Sequence, residues 1–408
     1  MTANDGFFRE QESPAVLKHG ILMRYPDVFA AAAGKTAERV MLLDGYAGRG
    51  VYEDGKPGSP MLLLDSAKRT GGFRNVECVF VERNVENFGV LSAVVGEHGA
   101  GLNARALHGD LSEHLPAILA EAAGAALFAF LDPFGTALDY DELVGQVLAR
   151  PTRPPTEVLL HVSVGALRRI AGLLRARIGA FTDADRKTIE RVDRFLGGDW
   201  WHEIALQASD AEGVATKIAE ELIGMYCAHV GKQTGFDWYL FPVRRRPYAA
   251  PDYFLVLFTR SRYGLWRFND SLSKAKCEWQ EHWRGRENAV VEGKARRIRE
   301  AEDAAGVLSL FDDSEVSTPP TLHPPYDEKR MEPRWVEAIE ANLAAMFMSG
   351  VSFKPQDEIL AVYGEVLGDA REKHVAAAIR RLHAAGVTTD TGASKGLSRR
   401  LMHPGPNA

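Results

Sequence analysis

Five short apolar segments lie in the first 163 residues of the chain, and stretches compatible with helices separate them. The segments are 40–44, 76–81, 104–108, 126–131 and 157–163. Each ends at, or directly before, a polar residue or a glycine. Strands of this length that alternate with helices are typical of a parallel sheet in an α/β domain. Two later runs, 238–244 and 253–260, are joined by a proline-containing turn and predict an antiparallel pair at the end of that sheet.

The composition is that of an ordinary protein of two-domain length, which excludes the collagen-like, disordered and disulfide-rich classes. The chain has 408 residues, with 49 Lys and Arg against 55 Asp and Glu, and a net charge of −6. Its three cysteines have no Cys-x-x-Cys spacing, which fits a reducing compartment and predicts no metal site. The N-terminus lacks the apolar core of a signal peptide, and no apolar run reaches the roughly 18 residues of a membrane span. We therefore expect a cytoplasmic protein without a membrane partner, in which any contact with nucleic acid depends on a local basic patch.

Charge and proline content divide the chain into two predicted domains. Residues 1–300 contain the predicted sheet, with a helical, charged insertion at about 166–236. Residues 301–330 are acidic, proline-bearing and without apolar periodicity, which predicts a linker. The remaining 331–408 have helical patterns at 333–348, 355–367 and 369–385, followed by short runs at 387–391 and 398–402. Three helices and a terminal hairpin predict a winged-helix-like domain.

A glycine-containing turn follows the first predicted strand, with the sequence Asp44-Gly-Tyr-Ala-Gly48-Arg-Gly50. Glycine at positions 48 and 50 lets the backbone adopt dihedral angles closed to other residues and approach a ligand closely. The dinucleotide fingerprint Gly-x-Gly-x-x-Gly is incomplete, since Tyr46 takes the first glycine position, and no Gly-Lys-Ser/Thr of a Walker loop follows. A tight strand-to-helix turn without a ligand is the alternative interpretation.

Carboxylates close three successive predicted strands, at Asp44, Glu82 and Asp110. The carboxyl ends of parallel strands meet at the edge of an α/β sheet where ligands bind. Glu82 is placed to accept hydrogen bonds from both ribose hydroxyls of a nucleoside cofactor, and Asp110 from an adenine amino group. Taken singly, each acid is equally consistent with an exposed strand end or, at Asp110, a helix cap. Three acids on one edge favour a nucleoside site.

The fourth predicted strand ends in Leu131-Asp-Pro-Phe-Gly135, at the switch point of the sheet. This segment and the glycine turn resemble the D/N-P-P-Y/F and D-x-F/Y-x-G-x-G motifs of S-adenosylmethionine (SAM) dependent amino-methyltransferases. The resemblance implies that Asp132 and the following carbonyl orient the target amine while an aromatic ring stacks on the base, so that methyl transfer depends on positioning. Here the aromatic position is Gly135, and Phe134 takes the place of the second proline. The candidate catalytic residues are Asp132, Pro133 and Phe134. The alternative is that Asp132 caps a helix predicted over 139–149.

Seven segments together resemble the three-Cys-motif partner protein (TcmP) family over roughly residues 14–280. They are 18–19, 43–52, 58–60, 81–82, 109–110, 130–135 and 253–261. The first half is also similar to the RlmJ-type adenine-N6 methyltransferases of ribosomal RNA, which share the Lys-His, Ala-Gly-x-Gly-x-Tyr and Gly-Ser-Pro features. The likeness implies a class I methyltransferase sheet with a Rossmann-like order, SAM as cofactor, and a partner protein that carries three cysteines of the radical-SAM type. The expected cofactor-binding residues are Lys18, His19, Asp44, Gly45, Tyr46, Ala47, Gly48, Gly50, Ser59, Glu82 and Asp110.

Two groups of basic residues are candidate contacts for nucleic acid. They are Arg244, Arg245 and Arg246 between the two late strands, and Arg380, Arg381, Lys395, Arg399 and Arg400 near the C-terminus. In a winged helix the second group lies on the third helix and the wing, which meet the duplex. Solvated surface is the alternative for the first group, and protein docking is the alternative for the second.

These patterns predict a SAM-dependent methyltransferase that acts on an exocyclic amino group, with adenine N6 of DNA or RNA as the expected target. Two other interpretations stay open. Because the Asp-Pro-Phe-Gly segment departs from the motif, the chain is also consistent with a catalytically inactive SAM-binding adaptor for a radical-SAM-type partner. A DNA-binding regulator that uses the methyltransferase fold as a sensor is the third interpretation.

Overall fold

Seven strands form a single sheet in the computed structural model, which describes residues 13–33, 36–177, 179–207, 214–304 and 322–408. The strands are β1 (Arg39–Asp44), β2 (Asn75–Glu82), β3 (Asn103–His108), β4 (Ala126–Leu131), β5 (Thr156–Ser163), β6 (Asp237–Val243) and β7 (Tyr253–Thr259). Their order is β3-β2-β1-β4-β5-β7-β6, in which β1 to β5 are parallel and β7 runs antiparallel to β5 and β6. This is the class I methyltransferase sheet that the sequence predicts, so the predicted fold class of the sheet is confirmed.

Helices cover both faces of the sheet. In chain order they are α1 (Ser13–Leu22), α2 (Tyr25–Ala33), α3 (Ser59–Gly71), α4 (Val85–His98), α5 (Leu111–Glu121), α6 (Val164–Ala176), α7 (Asp183–Leu196), α8 (Trp201–Gln207), α9 (Val214–Thr234), α10 (Arg262–Ala304), α11 (Glu328–Met348), α12 (Ile359–Tyr363) and α13 (Glu372–Ala384). Helices α6 to α9 lie between β5 and β6, the stretch where the sequence predicts a helical insertion. Within the described part of the chain, none of the helices is long and apolar enough to cross a membrane.

Alternate side chains of the central strands pack into two separate cores. Leu42 belongs to the core formed with α1 to α4 and α10, whereas Leu43 belongs to the core formed with α5 to α9. Neighbouring residues of a strand point to opposite faces of a sheet, so a continuous apolar strand serves both layers. The polar residues at the strand ends are therefore left at the edge between the two helical layers.

The C-terminal segment shares one apolar core with α10 and the sheet. At the centre of this contact, the fully buried Asn269 of α10 donates from Nδ2 to the Ala370 carbonyl at 2.9 Å. Its Oδ1 accepts the Gly368 N–H at 2.6 Å. Nearby, the Trp266 indole N–H donates to Glu372 Oε2 at 2.8 Å. The structure thus joins the two predicted domains through a common core.

Replacing Asn269 with alanine is expected to lower the free energy of unfolding by about 2–3 kcal/mol, because the Gly368 N–H and the Ala370 carbonyl would be buried without partners. Urea denaturation of the two proteins measures the difference. The matched control is Asn288→Ala on the same helix, whose side chain also makes two backbone hydrogen bonds, to His323, but at a half-buried site that water can reach. Equal losses in both variants would show that Asn269 does not fix the C-terminal segment.

The predicted linker at 301–330 overlaps helices at both of its ends. Helix α10 continues to Ala304 and α11 begins at Glu328, while residues 305–321 lie outside the described part of the chain. Helix α13 begins at Glu372, three residues after the start of the predicted helical pattern 369–385, and Arg371 takes its N-cap position. Asp369 forms an ion pair with Lys276 of α10, and this pairing adds to the contact between the C-terminal segment and α10.

The predicted terminal hairpin forms with a shifted second arm. Thr388 bridges Pro404 in antiparallel orientation, and the Thr389 N–H donates to the His403 carbonyl at 3.3 Å, so the first run pairs with the residues just after 398–402. Met402 bridges Phe353, and within the described residues 387–402 these contacts are isolated bridges rather than strands. A 3-10 turn, Leu397–Arg399, occupies the second run and prevents it from extending. The C-terminal segment therefore combines helices with a short antiparallel pairing near its end, and its winged-helix-like character stays a prediction.

Candidate functional site

The glycine turn after β1 lies across the ends of the two neighbouring strands. The Gly45 N–H donates to the Phe130 carbonyl of β4 at 3.0 Å, and the Ala47 N–H donates to the Val81 carbonyl of β2 at 2.9 Å. Gly50, with φ of +77°, has a left-handed conformation in which other residues are strained. Backbone pairing and glycine geometry together fix the turn at the carboxyl edge of the sheet.

Glu82 is buried at the end of β2 and holds the same turn. Its Oε2 accepts the Gly48 N–H at 2.8 Å, and its Oε1 accepts the Asn84 N–H at 2.6 Å. Each carboxylate oxygen has two lone pairs, so each keeps an acceptor position for a ligand in the cavity that Glu82 lines. Glu82 thus both shapes the turn and offers acceptors to a bound group.

Asp44 lies fully buried under the turn. Its Oδ1 accepts the Tyr46 N–H at 3.2 Å, whereas its Oδ2 makes no hydrogen bond of normal geometry with the described residues. Burial raises the pKa of Asp44 to about 7, an effect that the nearby Ser59 hydroxyl partly offsets. Asp44 therefore supports the turn from below, through the Tyr46 N–H, rather than facing a cavity.

Two cavities open at the carboxyl edge of the sheet and meet at Tyr46 and Phe134, which line both of them. The first has a volume of about 980 Å³ and is lined by Gly45, Glu82 and Asp110, together with Arg191 and Arg194 of α7. The second, of about 630 Å³, is lined by Lys18, His19, Ala47, Gly48, Gly50, Ser59, Asp132, Pro133, His161, Arg245 and Tyr253. Every residue that the sequence suggests for the cofactor or for catalysis, apart from the buried Asp44, therefore lines one of the two cavities.

Asp132 directly follows β4 and forms an ion pair with Lys18 of α1. Lys18 Nζ donates to Asp132 Oδ2 at 2.6 Å, and the two side chains are only 10% and 20% exposed. Burial alone would raise the pKa of Asp132, but the charges of Lys18 and His161 hold it below its ordinary value. For Lys18, the attraction of Asp132 outweighs the burial and raises the pKa. The pair is therefore an ammonium and a carboxylate at neutral pH.

The alternative role of Asp132 as a helix cap is wrong. The segment predicted as a helix over 139–149 contains only a short π-helical stretch, Glu142–Val147, which Asp141 precedes at the N-cap position. Asp132 lies outside this stretch and faces the second cavity. Its position at the strand end is thus available for a ligand.

The second cavity also contains residues that the sequence analysis did not select. His161 of β5 has its Nδ1 3.3 Å from Asp132 Oδ1. Tyr52 faces His19, with ring centroids 5.6 Å apart, and burial lowers the pKa of His19 to about 3. The available signal for His161 was a histidine inside the apolar stretch 158–162. For Tyr52 the signal was its place as the tyrosine of the Ala-Gly-x-Gly-x-Tyr feature, although it was not selected as a site residue.

Carboxylates oppose two of the three arginines between β6 and β7. Arg245 Nε lies 3.3 Å from Asp252 Oδ1, and Arg246 Nη1 lies 2.8 Å from Glu287 Oε1. Arg244 donates to a backbone carbonyl of its own turn at 3.2 Å. Of the three, Arg245 lines the second cavity. The structure therefore places one arginine of the predicted patch at the candidate site.

The C-terminal basic residues lie on α13 and on the loop after it, and they line neither cavity. Their contacts are Arg380 with the Gly392 carbonyl at 3.3 Å, Arg381 with Glu340 at 3.1 Å, Arg399 over the Tyr263 ring at 4.7 Å and Arg400 with Asp390 at 3.2 Å. Lys395 is exposed in the same loop. These residues form a surface separate from the candidate site.

Within the described part of the chain, one group has the spacing of metal ligands. It consists of Glu328, Glu332 and His374. Arg371 pairs with Glu328, and Lys373 Nζ lies 2.5 Å from Glu332 Oε1. The carboxylates are thus engaged by cationic side chains, and the group is an ion-pair network between α11 and α13.

Solved structures similar to this chain cover about three fifths of it. The cofactor-bound protein Rv0187 from MTB is 16% identical, with 60% of this chain and 88% of that chain covered and a TM-score of 0.30. The O-methyltransferase TomG from Streptomyces achromogenes, solved with SAM, is 12% identical. The match covers 62% of this chain and 92% of TomG, with a TM-score of 0.30. The methyltransferase domain of bacterial CtHen1-CN is 12% identical. The match covers 58% of this chain and 97% of that domain, with a TM-score of 0.30. No family model and no curated protein matches the sequence. The fold assignment therefore rests on the strand order and register of this chain itself.

Proposed function

We propose that this chain is a SAM-dependent methyltransferase that acts on an exocyclic amino group, with adenine N6 of a nucleic acid as the target. The observation that carries the proposal is the carboxylate of Asp132, which Lys18 holds as an anion in the cavity wall. It lies two residues before Phe134, which lines both cavities. A fixed acceptor beside an aromatic ring is the arrangement that orients a planar amine for methyl transfer.

The first cavity and the glycine turn fit the nucleoside part of SAM. Glu82 keeps acceptor positions for ribose hydroxyls, and Asp110 stands half exposed on the same wall. The cofactor would supply a methyl group on a positively charged sulfur. Asp44, fully buried under the turn, accepts the Tyr46 N–H and would support the turn that holds the cofactor. Lys18 and His19 line the second cavity, where they would shape the approach of the substrate.

The second cavity fits a base flipped out of a nucleic acid. Phe134 is 56% exposed in the cavity wall, and its ring would stack on a base in place of the aromatic residue missing at Gly135. Arg245 on the cavity wall supports a phosphate contact close to that base. The separate basic surface, with Arg380, Lys395 and Arg399, would extend the contact to the backbone at a distance from the reacting base.

The resemblance to the TcmP family, which rests on the glycine turn together with the Asp-Pro-Phe-Gly segment, supports the same proposal. The likeness of the first half to the RlmJ-type proteins, which share the Ala-Gly-x-Gly-x-Tyr feature, supports it as well. One observation favours a second candidate function. Lys18 already donates a hydrogen bond to one oxygen of Asp132, and Gly135 stands where the motif has an aromatic residue. Both features would suit an adaptor that binds SAM but does not transfer its methyl group. Such an adaptor would serve a radical-SAM-type partner with three cysteines.

The experiment is methyl transfer by the full-length protein from methyl-labelled SAM to total RNA and to genomic DNA in separate reactions. We expect label in N6-methyladenosine from one of the two pools after digestion to nucleosides and mass spectrometry. Calorimetry with SAM alone should show one molecule bound per chain. Binding without transfer to either pool would contradict the enzyme and favour the adaptor. Absence of SAM binding would end the cofactor assignment.

A further inference from the structure

His161 is brought beside Asp132 by the register of two neighbouring strands. It follows Leu160 in β5, and Leu160 pairs with Leu131 of β4, the residue before Asp132. Residues in equivalent positions of paired parallel strands point to the same face of the sheet, so His161 and Asp132 face the same opening. His161 lines the second cavity with a side chain that is 15% exposed.

The imidazole has a defined set of neighbours. Its Nδ1 lies 3.3 Å from Asp132 Oδ1, the oxygen that Lys18 does not bind, and makes no hydrogen bond of good geometry. On its other side the ring packs on Tyr253 of β7, with centroids 4.2 Å apart. The charged and titratable groups that face His161 are therefore Asp132, Lys18 and Tyr253. Burial and Lys18 lower the pKa of His161 against the opposing effect of Asp132, so the ring is neutral at pH 7.

Methylation of an amine leaves a proton that must go to a base. The nitrogen lone pair forms the new N–C bond while the S–C bond of the sulfonium breaks, and the bonding pair remains on sulfur. The methylated nitrogen is then cationic and releases one N–H proton. If Asp132 kept this proton, the buried Lys18 ammonium would lose its counter-charge, which is costly in a protein interior. A neutral imidazole next to Asp132 removes this difficulty.

We propose that His161 is the base that receives the proton lost by the target amine, with Asp132 Oδ1 as the contact through which the proton passes. The proposal rests on the proposed function and deepens it by naming the final acceptor. The carboxylate keeps its charge and its pair with Lys18 after each transfer. The imidazolium then returns the proton to solvent through the cavity that His161 lines.

The first test is single-turnover transfer between pH 5 and 8, with adenine-containing RNA and DNA oligonucleotides as probes. We expect the wild-type rate to fall toward low pH, because a protonated imidazole cannot accept another proton. His161→Gln should be about 10- to 100-fold slower at neutral pH and should lose this acidic limb, while its SAM affinity stays unchanged. The control His229→Gln lies on α9 with its ring against Trp200, and should behave as wild type. An unchanged rate and pH profile in His161→Gln overturns the proposal.

A titration of the histidine NMR signals gives a readout that needs no substrate. The His161→Gln spectrum assigns the resonance. Asp132→Asn should move the His161 midpoint to lower pH, since the carboxylate stabilises the imidazolium, and Lys18→Met should move it upward. An unchanged His161 titration midpoint in both Asp132→Asn and Lys18→Met overturns the proposal, even if the protein is an active methyltransferase. If the His161 titration midpoint shifts in the variants but no nucleic acid is methylated, the proposed function is refuted, and the role of His161 as proton acceptor is refuted with it. The contact between His161 and Asp132 would still be confirmed by that result.

Discussion

Alanine at position 132 is expected to reduce methyl transfer by at least about 100-fold, roughly 2.7 kcal/mol of transition-state stabilisation, while SAM affinity stays within about threefold of wild type. The reason is that Asp132 belongs to the second cavity, on the substrate side, whereas Glu82 and Asp110 line the first. Single-turnover transfer and calorimetry with SAM measure the two quantities separately.

The same substitution leaves Lys18 as a buried ammonium without its partner, and we expect a loss of about 3–5 kcal/mol in stability. The control is the double variant Asp132→Ala with Lys18→Met, which removes both charges together. It should recover most of the stability and none of the transfer. Recovery of transfer along with stability would mean that Asp132 acts only through folding. A single variant that keeps more than about a tenth of wild-type transfer would contradict the catalytic assignment directly.

Glu82→Gln is expected to weaken SAM binding by about 10- to 100-fold, or about 1.4–2.8 kcal/mol. The carboxylate accepts the Gly48 and Asn84 N–H groups on different oxygens, so an amide in its place turns an NH₂ group toward one of them. The glycine turn loses a contact, and the cavity loses acceptor positions for ribose hydroxyls. Calorimetry at fixed ionic strength gives the affinity.

Glu86→Gln is the matched control, because Glu86 is an exposed acid in the first turn of α4, a few residues further along the chain. It removes the same charge and should leave the affinity for SAM unchanged. Thermal unfolding of Glu82→Gln without SAM shows how much of its effect comes from the turn itself. Equal affinities in the two variants would exclude Glu82 from the cofactor site.

The sheet could be predicted from the sequence because each of its strands is marked by a local pattern of residues. Each strand is a short apolar run that ends at a polar residue, and the order of runs and helical stretches determines a right-handed α/β arrangement. The polar residues at the strand ends, such as Asp44, Glu82 and Asp132, could be selected for the same reason. Their meeting at one edge follows from parallel strands alone.

Contacts between distant segments could not be predicted in this way. Lys18 and Asp132 are 114 positions apart, and nothing in the local pattern of either shows that α1 would cover the end of β4. The position of His161 beside Asp132 follows from the register between β4 and β5, and this register cannot be read from a single apolar run. The C-terminal segment was expected to stand apart because its linker is polar. Its attachment consists of a shared apolar core and polar contacts such as those of Asn269, whose burial is determined by packing between distant segments.

The buried Asn269 has a consequence for how this chain can change over evolution or by design. Helix α10 supplies part of the core of both the sheet and the C-terminal helices. A substitution at Leu272 or Trp266 would therefore change the packing against both of them. An exchange of the C-terminal segment between relatives would have to carry the first turns of α10 with it. We therefore expect the two parts to be exchangeable only together, since a recombination point between α10 and α11 would separate residues that share one core.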